Sequence, residues 1–237
     1  MTVRCFSPPL TALMIPIRLR RDCKGCWASL AAILVVSLGT AAGFFFLNDP
    51  QTPLSLSTSA ARQARLHEHW RTGNVIVLVR HAERCDHSDA PCLSSAQGIT
   101  ARTLPSVREL GRDFKGLGTR DVDIISSPLI RAVQTAENMF GKSPPRQAWL
   151  FDCKGTMLNQ ALQHKVPHHN LILVTHSECI QDLESSMGDS SPTTPAFASS
   201  WFLIDDGRSA PVLLGYLDAD QWKELDRLDM LAQLEDH

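Results

Sequence analysis

The stretch VIVLVRHAER, residues 75–84, joins a run of five apolar residues to a cluster of charged ones. A continuous apolar run rich in β-branched residues is typical of a strand that is buried on both faces of a sheet. Arg80, His81 and Arg84 follow this run directly. Because sites in parallel sheets form at the carboxyl ends of the strands, we expect this charged cluster to be functional.

Further predicted strands and helices alternate along the chain after this first strand. The other predicted strands are VDIIS (122–126), AWLF (148–151), LILVT (171–175), and the pair SSWFLID and APVLLGYL around the turn DDGRS. Predicted helices begin near Thr103, at Ser127 as N-cap with Pro128 in the first position, at about residue 156, and at Ser177. This alternation predicts an α/β fold, in which a mostly parallel sheet carries helices on both faces.

The N-terminal part of the chain has the features of a membrane segment. Residues 27–47 contain no charged residue and are long enough to cross a ~30 Å hydrocarbon core as a helix. The basic cluster RLRRDCK precedes them, and the positive-inside rule then places residues 1–26 in the cytoplasm. A cleaved signal peptide is the alternative, because GTAAG offers small residues, but the length of the apolar run favours an uncleaved signal-anchor.

The rest of the chain divides into three predicted segments. Residues 48–73 begin with a stretch rich in Pro, Ser and Thr and are predicted to be a linker, with a short helix near its end. Residues 74–217 contain the alternating strands and helices and form the predicted globular domain. Residues 218–237 space Trp222 and several leucines as an amphipathic helix does.

Charge is distributed unevenly along the sequence. The net charge is −2, but residues 1–47 carry +4, which leaves −6 for the remainder. An acidic globular part argues against nucleic acid as a general partner, because nucleic-acid binding depends on neutralising phosphates with basic side chains.

Four of the seven cysteines follow the apolar segment, namely Cys85, Cys92, Cys153 and Cys179. An even number of cysteines in an exported domain predicts two disulfides and an oxidising compartment. Four cysteines allow three connectivities, and the residues alone do not choose among them.

Three short motifs, RHAER, SSPLIRAVQTAE and THSE, follow predicted strands at one edge of the sheet. Their basic residues are Arg80, His81, Arg84, Arg131 and His176. Arginine binds a phosphate dianion through forked donors, and a neutral imidazole is able to attack phosphorus and form a phosphohistidine. Arg131 also lies about one turn into its helix, where the helix dipole favours an anion. The cluster therefore predicts phosphoryl transfer.

In this order, RHAER, SSPLIRAVQTA and THS resemble the motifs of the histidine phosphatase superfamily, which has the phosphoglycerate mutase-like fold. The resemblance covers roughly residues 74–217. It implies that His81 is the nucleophile and that Arg80, Arg84, Arg131 and His176 form the phosphate pocket. It implies neither a metal ion nor another cofactor.

A closer similarity is to the periplasmic lipopolysaccharide core heptose(II)-phosphate phosphatases. It is carried by RHAERCD, by CLSSAQGIT, and by the cysteines at positions 153 and 179. Those proteins also have an N-terminal membrane segment. The resemblance implies the pairs Cys85–Cys92 and Cys153–Cys179, a location in the periplasm at the inner membrane, and a phosphorylated sugar or lipopolysaccharide as substrate.

The general acid departs from the superfamily pattern. Many members supply a Glu from the segment after the third strand, whereas FDCKGTMLNQ at residues 151–160 contains none. Asp152 is the nearest carboxylate, and Glu178 and Glu83 are further candidates. The sequence leaves this choice open.

Two kinds of function agree with these observations. The first is an exported, membrane-anchored phosphatase that acts on a phosphorylated envelope sugar through a phosphohistidine. The second is a catalytically idle domain of the same fold that binds phosphorylated glycans or a protein partner, and the missing Glu keeps it open. The first requires a neutral His81 beside a charged His176, so we expect its rate to vary between about pH 5 and 8.

Overall fold

A computed structural model of the chain describes residues 54–225, which are built around a five-stranded sheet. The strands are β1 (Val75–Arg80), β2 (Val122–Ser126), β3 (Asn170–Thr175), β4 (Ser200–Ile204) and β5 (Val212–Leu217). The α-helices are α1 (Ala60–Arg71), α2 (Leu104–Leu117), α3 (Ile130–Phe140), α4 (Met157–His164) and α5 (Ser177–Ser186). Single 3₁₀ turns occur at Leu56–Thr58, Cys85–His87, Ala101–Thr103 and Ala148–Leu150, and residues 222–225 are helical.

The strands lie in the order β2-β3-β1-β4-β5. Strands β1 and β2 both pair with β3 in parallel, whereas β4 runs antiparallel to β1 on one side and to β5 on the other. Four strands therefore point in one direction, as a mostly parallel sheet requires. Two of the four pairings are nevertheless antiparallel, so the sheet is mixed, and the prediction is confirmed only at the level of an α/β fold.

Helices cover both faces of the sheet, as predicted. The side chains of residues 75–79 in β1 are fully buried and alternate between two hydrophobic clusters, with Val75, Val77 and Val79 in one and Ile76 and Leu78 in the other. Helices α1, α2 and α3 supply the first cluster, and α4 and α5 supply the second. Burial on both sides explains why this strand has no polar residue before Arg80.

The predicted strand at residues 148–151 is wrong. The chain forms a single bridge at Arg146 to the end of β2, and Ala148–Leu150 then closes a 3₁₀ turn. This turn buries Leu150 completely in the second cluster and offers its carbonyl oxygen to the Thr175 hydroxyl at 2.7 Å. A short apolar run is equally compatible with a strand and with a turn that buries one side chain, because neither leaves a periodic pattern in so few residues.

Helix α3 begins later than its sequence predicts. Its N-cap position is Leu129, and no side chain caps the first turn. Ser127, the predicted cap, instead accepts a hydrogen bond from the Leu129 amide at 3.3 Å and bonds His176 at 2.7 Å. The serine is therefore part of the edge where the predicted site residues lie.

The folded domain is longer than residues 74–217. Helix α1 forms where a short helix was predicted, but Leu66 and Trp70 on it are buried in the first hydrophobic cluster together with Leu56. Residues 54–73 are therefore part of the domain and not a linker. At the other end Trp222 is buried, with its ring centroid 4.6 Å from that of Phe114.

Several predictions concern residues beyond this range. The predicted membrane segment at 27–47 and most of the predicted C-terminal helix at 218–237 lie outside the described residues. Between residues 54 and 225, no helix combines the length and the apolar character that a membrane crossing needs.

Candidate active site

The predicted basic residues meet at the carboxyl ends of β1, β2 and β3. Arg80 ends β1 and His81 follows it, His176 follows β3, and Arg131 is the second residue of α3. Because β3 lies between β1 and β2, these positions are neighbours. The ring centroids of His81 and His176 are 5.1 Å apart, and Arg131 Nε lies 3.1 Å from His81 Nε2.

Two hydrogen bonds determine the proton position on His81. Nδ1 lies 2.7 Å from the carbonyl oxygen of Ala82, which is only able to accept, so Nδ1 carries the proton. Nε2 faces the Nε–H of Arg131, which is only able to donate, so Nε2 presents its lone pair. The backbone amide of His81 also donates to the Thr175 carbonyl at 3.0 Å. The ring is therefore held as a neutral imidazole whose Nε2 lone pair faces Arg131.

The surroundings of His81 keep the ring neutral. Its side chain is almost fully buried, and this burial lowers the pKa of His81 to about 2. The Ala82 carbonyl opposes the shift, and the neighbouring His176, Arg131 and Arg80 add to it. The expectation of a neutral His81 agrees with this geometry, but its titration lies far below the pH range that we expected to govern the rate.

His176 is buried completely, and this burial governs its charge state in the free site. Burial, followed by the charge of Arg131, lowers the pKa of His176 to about 4, and Glu178 only partly opposes this. In the free site this ring is therefore neutral near pH 7, whereas the charged His176 that we expected is one kept protonated by a bound phosphate. A bound phosphate dianion would favour the protonated ring, because an opposite charge at short range raises a histidine pKa.

Arg80 is half-buried and held by the segment that precedes β4. Its Nη1 donates to the carbonyl oxygen of Pro195, and its guanidinium carbon lies 4.0 Å from the ring centroid of Phe197. Burial lowers the pKa of Arg80, although the guanidinium remains charged in any physiological range.

Arg84 lies at the rim and is paired with an acidic side chain. Its Nε and Nη2 donate to the two carboxylate oxygens of Asp86 at 2.9 and 2.6 Å. Its charge nevertheless acts on Arg80, Arg131 and His176, so Arg84 belongs to the same cluster. A bound phosphate would have to compete with the Asp86 carboxylate for the Arg84 guanidinium.

The cluster has the donors that an anion requires. Among the described residues, Arg80 Nε and His176 Nδ1 are buried polar atoms without a hydrogen-bond partner. Such atoms are uncommon in folded proteins, and they are explained when a ligand binds there. In the same part of the chain, no three His, Cys, Asp or Glu side chains are grouped to hold a metal ion. The arrangement is suited to a phosphate group held by arginines and a histidine.

Glu178 is the candidate acid with clear electrostatic links to this cluster. It lies in the first turn of α5, and its charge acts on Arg80, Arg84, Arg131 and His176. Partial burial raises the pKa of Glu178, but its own backbone amide, the Ser177 hydroxyl and the neighbouring cations lower it further, so the net shift is downward. The free site therefore holds Glu178 as a carboxylate.

The other two candidate acids are placed differently. Asp152 is exposed and lies between Phe151, whose ring faces His176 at 5.6 Å, and the disulfide-bonded Cys153. Glu83 accepts hydrogen bonds from Thr100 and from the guanidinium of Arg102, and these bonds lower the pKa of Glu83 to about 2. A carboxylate held so firmly in its ionised form is a poor proton donor.

Sequence reasoning missed two hydroxyl residues of the site. Ser127 bonds the Nε2 of His176, so it fixes the orientation of that ring. Thr135 accepts the Ala82 amide at 3.0 Å and donates to the Arg131 carbonyl at 2.7 Å, and it thereby joins the loop after β1 to α3. Both lie in the motif SSPLIRAVQTAE, so the motif was the available signal.

Two phenylalanines of the site were also missed. Phe197 lies with its ring centroid 5.9 Å from that of His81, and Phe151 lies 5.6 Å from His176. Phe151 fell within the wrongly predicted strand, and Phe197 lies in a segment with no periodic pattern. No sequence signal for either was apparent.

Both predicted disulfides are present. Cys85 and Cys92 close the loop that follows Arg84, with 5.3 Å between their Cα atoms. Cys153 and Cys179 join the segment after the 3₁₀ turn to α5, with a Cα separation of 5.5 Å. The pairing implied by the family resemblance is confirmed, and each bridge restrains a segment that carries candidate site residues.

Curated proteins similar to this chain are phosphatases. No protein-family model matches the chain. Over 163 residues it is 32% identical to the lipopolysaccharide core heptose(II)-phosphate phosphatase of Escherichia coli O139:H28, which covers 68% of this chain and 76% of the relative. The protein of the same name from Escherichia coli ATCC 8739 is 34% identical over 154 residues, or 64% of this chain and 72% of the relative.

Solved structures similar to this chain include a phosphatase and a mutase. The protein histidine phosphatase SixA complexed with tungstate aligns with a TM-score of 0.48 and 17% identity, covering 62% of this chain and 97% of its own. Phosphoglycerate mutase from Bacillus anthracis aligns with a TM-score of 0.45 and 14% identity, covering 66% and 99%. The curated relative from strain O139:H28, with 32% identity across 76% of its length, shows that the chain belongs to the lipopolysaccharide core heptose(II)-phosphate phosphatase family.

Proposed function

We propose that this phosphatase hydrolyses a phosphate monoester on a sugar of the cell envelope, such as the heptose phosphate of the lipopolysaccharide core, through a phosphohistidine at His81. The curated relatives bear that substrate in their names. The observation that carries the mechanism is the lone pair on His81 Nε2, which the Ala82 carbonyl and Arg131 fix from opposite sides of the ring.

In the first step His81 replaces the sugar oxygen on phosphorus. The Nε2 lone pair forms the N–P bond while the P–O ester bond breaks and its electrons leave with the sugar oxygen. Arg80, Arg84 and Arg131 stabilise the charge on the remaining phosphoryl oxygens. His176 joins them once the dianion has raised its pKa from about 4 in the free site.

The departing sugar oxygen needs a proton, and we assign its donation to Glu178. A bound dianion adds negative charge beside this carboxylate, which raises its pKa and favours the protonated acid. Glu178 is better placed than Asp152, because its charge already acts on the four cationic or histidine groups around the phosphate site. The donor therefore becomes competent only with substrate bound.

In the second step water releases the phosphate. The Glu178 carboxylate, having lost its proton to the sugar, accepts a proton from water while the water oxygen forms a bond to phosphorus. The P–N bond breaks, and its electron pair returns to His81 Nε2. The products are inorganic phosphate, the dephosphorylated sugar and the starting enzyme.

The same proposal includes export to the periplasm and anchoring by residues 27–47. The apolar segment with its basic flank supports this topology. The two disulfides support it independently, because such bonds persist in oxidising compartments and are rare in the cytosol. Protease added to spheroplasts should degrade the domain, whereas protection until the cells are broken would contradict export.

Phosphate release by the oxidised full-length chain in detergent tests the activity. An aryl phosphate is assayed first and phosphorylated lipopolysaccharide second, with His81→Asn as the test variant and His69→Asn as the control. His69 lies on α1 beside the opposite end of the sheet. We expect the control to match the wild type and His81→Asn to lose about a thousandfold or more, the scale seen when a nucleophile is removed.

Rapid quenching with labelled substrate identifies the intermediate. The wild type should retain phosphate in an acid-labile, alkali-stable bond, and His81→Asn should retain none. Equal release by His81→Asn and the wild type would contradict the mechanism. Phosphate binding without release by the wild type would instead favour the idle binding domain.

A further inference from the structure

Two exposed phenyl rings lie at the edge of the histidine pair. Phe151 is 47% exposed and Phe197 is 37% exposed, so neither is a core residue. A singly exposed apolar side chain is ordinary, but each of these rings contacts a histidine of the candidate site. The location of both rings at a phosphate site points to the molecule that carries the phosphate.

The two phenyl rings are linked through the histidine pair by three successive ring contacts. Phe197 lies 5.9 Å from His81, His81 lies 5.1 Å from His176, and His176 lies 5.6 Å from Phe151, measured between ring centroids. Each phenyl ring thus adjoins a different histidine. A group bound to phosphorus between the histidines would be flanked by both rings.

Each ring is held in place by independent restraints. Phe151 lies between the 3₁₀ turn and Cys153, which is bonded to Cys179 on α5. Phe197 packs on the Arg80 guanidinium. Arg80 Nη1 in turn donates to the carbonyl oxygen of Pro195, which precedes Phe197 by two residues.

The backbone beside Phe197 also adopts a costly conformation. Ala198 has φ of 59°, a left-handed value that is unfavourable for a residue with a Cβ, and its amide donates to the His81 carbonyl at 3.4 Å. Such strain persists only where the surrounding structure imposes it, and it is frequent at ligand sites. The hydrogen bond from Ala198 ties the residue next to Phe197 to the backbone of His81.

We propose that Phe151 and Phe197 flank the pyranose ring that bears the phosphate and thereby select cyclic sugar phosphates. The inference rests on the proposed phosphatase function and assigns the residues that recognise the sugar. The C–H bonds of a pyranose face carry slight positive charge and pack on the negative face of an aromatic ring. When phosphate is esterified to a ring hydroxyl, the pyranose is one oxygen away from phosphorus, so it must lie beside His81 and His176.

Matched substrates separate this role from general catalysis. Methyl glucopyranoside 4-phosphate and glycerol 2-phosphate are both secondary alkyl phosphates, but only the first has a ring. The variants Phe151→Leu and Phe197→Leu keep an apolar side chain but remove the flat aromatic face. Phe197→Trp retains an aromatic ring at that position. Val166→Ala is the control, since Val166 is 46% exposed and lies near the amino end of β3.

The measurement is kcat/KM of the oxidised full-length chain on both substrates. We expect each leucine variant to lose about tenfold on the pyranoside, near the upper range for an aromatic face, and less than about twofold on glycerol 2-phosphate. Phe197→Trp should lose less on the pyranoside than Phe197→Leu does, and Val166→Ala, which lies outside the site, should stay near the wild type on both. Equal losses on both substrates would mean that the rings only support Arg80 and His176, and would overturn the inference while leaving the phosphatase function intact.

Binding measurements distinguish a failure of this inference from a failure of the proposed function. Calorimetry in a His81→Asn background gives the Kd of each phosphate without hydrolysis. A leucine substitution that weakens only the pyranoside supports the inference even if the wild type releases no phosphate. Equal Kd changes for both compounds, or none, would overturn it.

Discussion

Replacing Glu184 by glutamine should stabilise the domain in neutral and alkaline solution more than in acidic solution. Glu184 is fully buried on α5, and neither carboxylate oxygen has a hydrogen-bond partner among the described residues. Burial, together with the neighbouring Asp189, raises the pKa of Glu184 to about 8 from an ordinary value of 4.5. The folded protein therefore keeps this carboxyl protonated across a range in which the unfolded chain ionises it.

The direction and size of the effect follow from proton linkage. Between the unfolded and folded pKa values the folded state holds one more proton, so stability is greatest at acidic pH and is lost as the pH rises towards 8. One proton corresponds to about 1.4 kcal/mol per pH unit, so this group removes about 2–3 kcal/mol between pH ~5.5 and ~7.5. Glutamine does not ionise and escapes that loss. For a domain of this size the difference amounts to about 4–12 °C in Tm.

Thermal unfolding followed by circular dichroism at these two pH values checks the reasoning. The quantity of interest is the Tm of Glu184→Gln minus that of the wild type, because other titrating groups contribute equally to both proteins. A fixed cost of burying the amide appears at both pH values and cancels in the comparison. Glu68→Gln, at an exposed position on α1, is the control. If the Tm difference is the same at both pH values, Glu184 is not held protonated by the fold.

Other changes at the site and at its disulfides should have separable effects. Because the free site holds His176 neutral and Glu178 ionised, whereas the proposed reaction uses both in protonated form, kcat/KM for the phosphate dianion should fall as the pH rises from about 5 to 8; a level profile would contradict this uptake of protons. Glu178→Gln should slow an alkyl phosphate about a hundredfold and a nitrophenyl phosphate far less, whereas the opposite result with Asp152→Asn would assign the acid there. Replacing both Cys153 and Cys179 by serine should lower the free energy of unfolding in urea by about 3–4 kcal/mol, and an unchanged midpoint would show that the bridge adds no stability.

The sequence predicts well those parts of the molecule whose residues have one strong physical preference. The side chains of Val75–Val79 contain no polar atom that needs a hydrogen-bond partner, and the run is buried on both faces, as its pattern indicates. The charged residues after it have no place in a core, so they mark the edge where β1 ends. The motif order then locates His81, Arg131 and His176 at one edge, because parallel strands bring their carboxyl ends together.

Predictions failed where a residue serves a distant partner. Ser127 has the side chain of a helix cap, but its hydroxyl forms a hydrogen bond with His176, which is 49 positions later in the chain. Trp149 and Leu150 have the composition of a strand, but Leu150 is buried through a turn. The charge of His176 depends on its complete burial, which no local pattern records. These properties arise from tertiary packing and are absent from any short window of sequence.

The three arginines of the free site already have partners that a phosphate would replace. Arg84 binds Asp86, Arg80 binds the Pro195 carbonyl, and Arg131 donates to His81 Nε2. The last of these bonds occupies the lone pair that the proposed reaction needs. A phosphate oxygen is the better acceptor for a guanidinium, because a charge-assisted hydrogen bond is about twice as strong as a neutral one.

Substrate binding therefore prepares the nucleophile in the proposed reaction. When Arg131 turns to the phosphate, the Nε2 lone pair becomes free at the moment phosphorus lies beside it. The same negative charge raises the pKa values of His176 and Glu178, which supplies the missing cation and the missing acid together. An uncharged molecule such as water produces neither change. The substrate thus brings the charge that completes the site, which explains how a buried neutral pair of histidines is able to serve a reaction of anions.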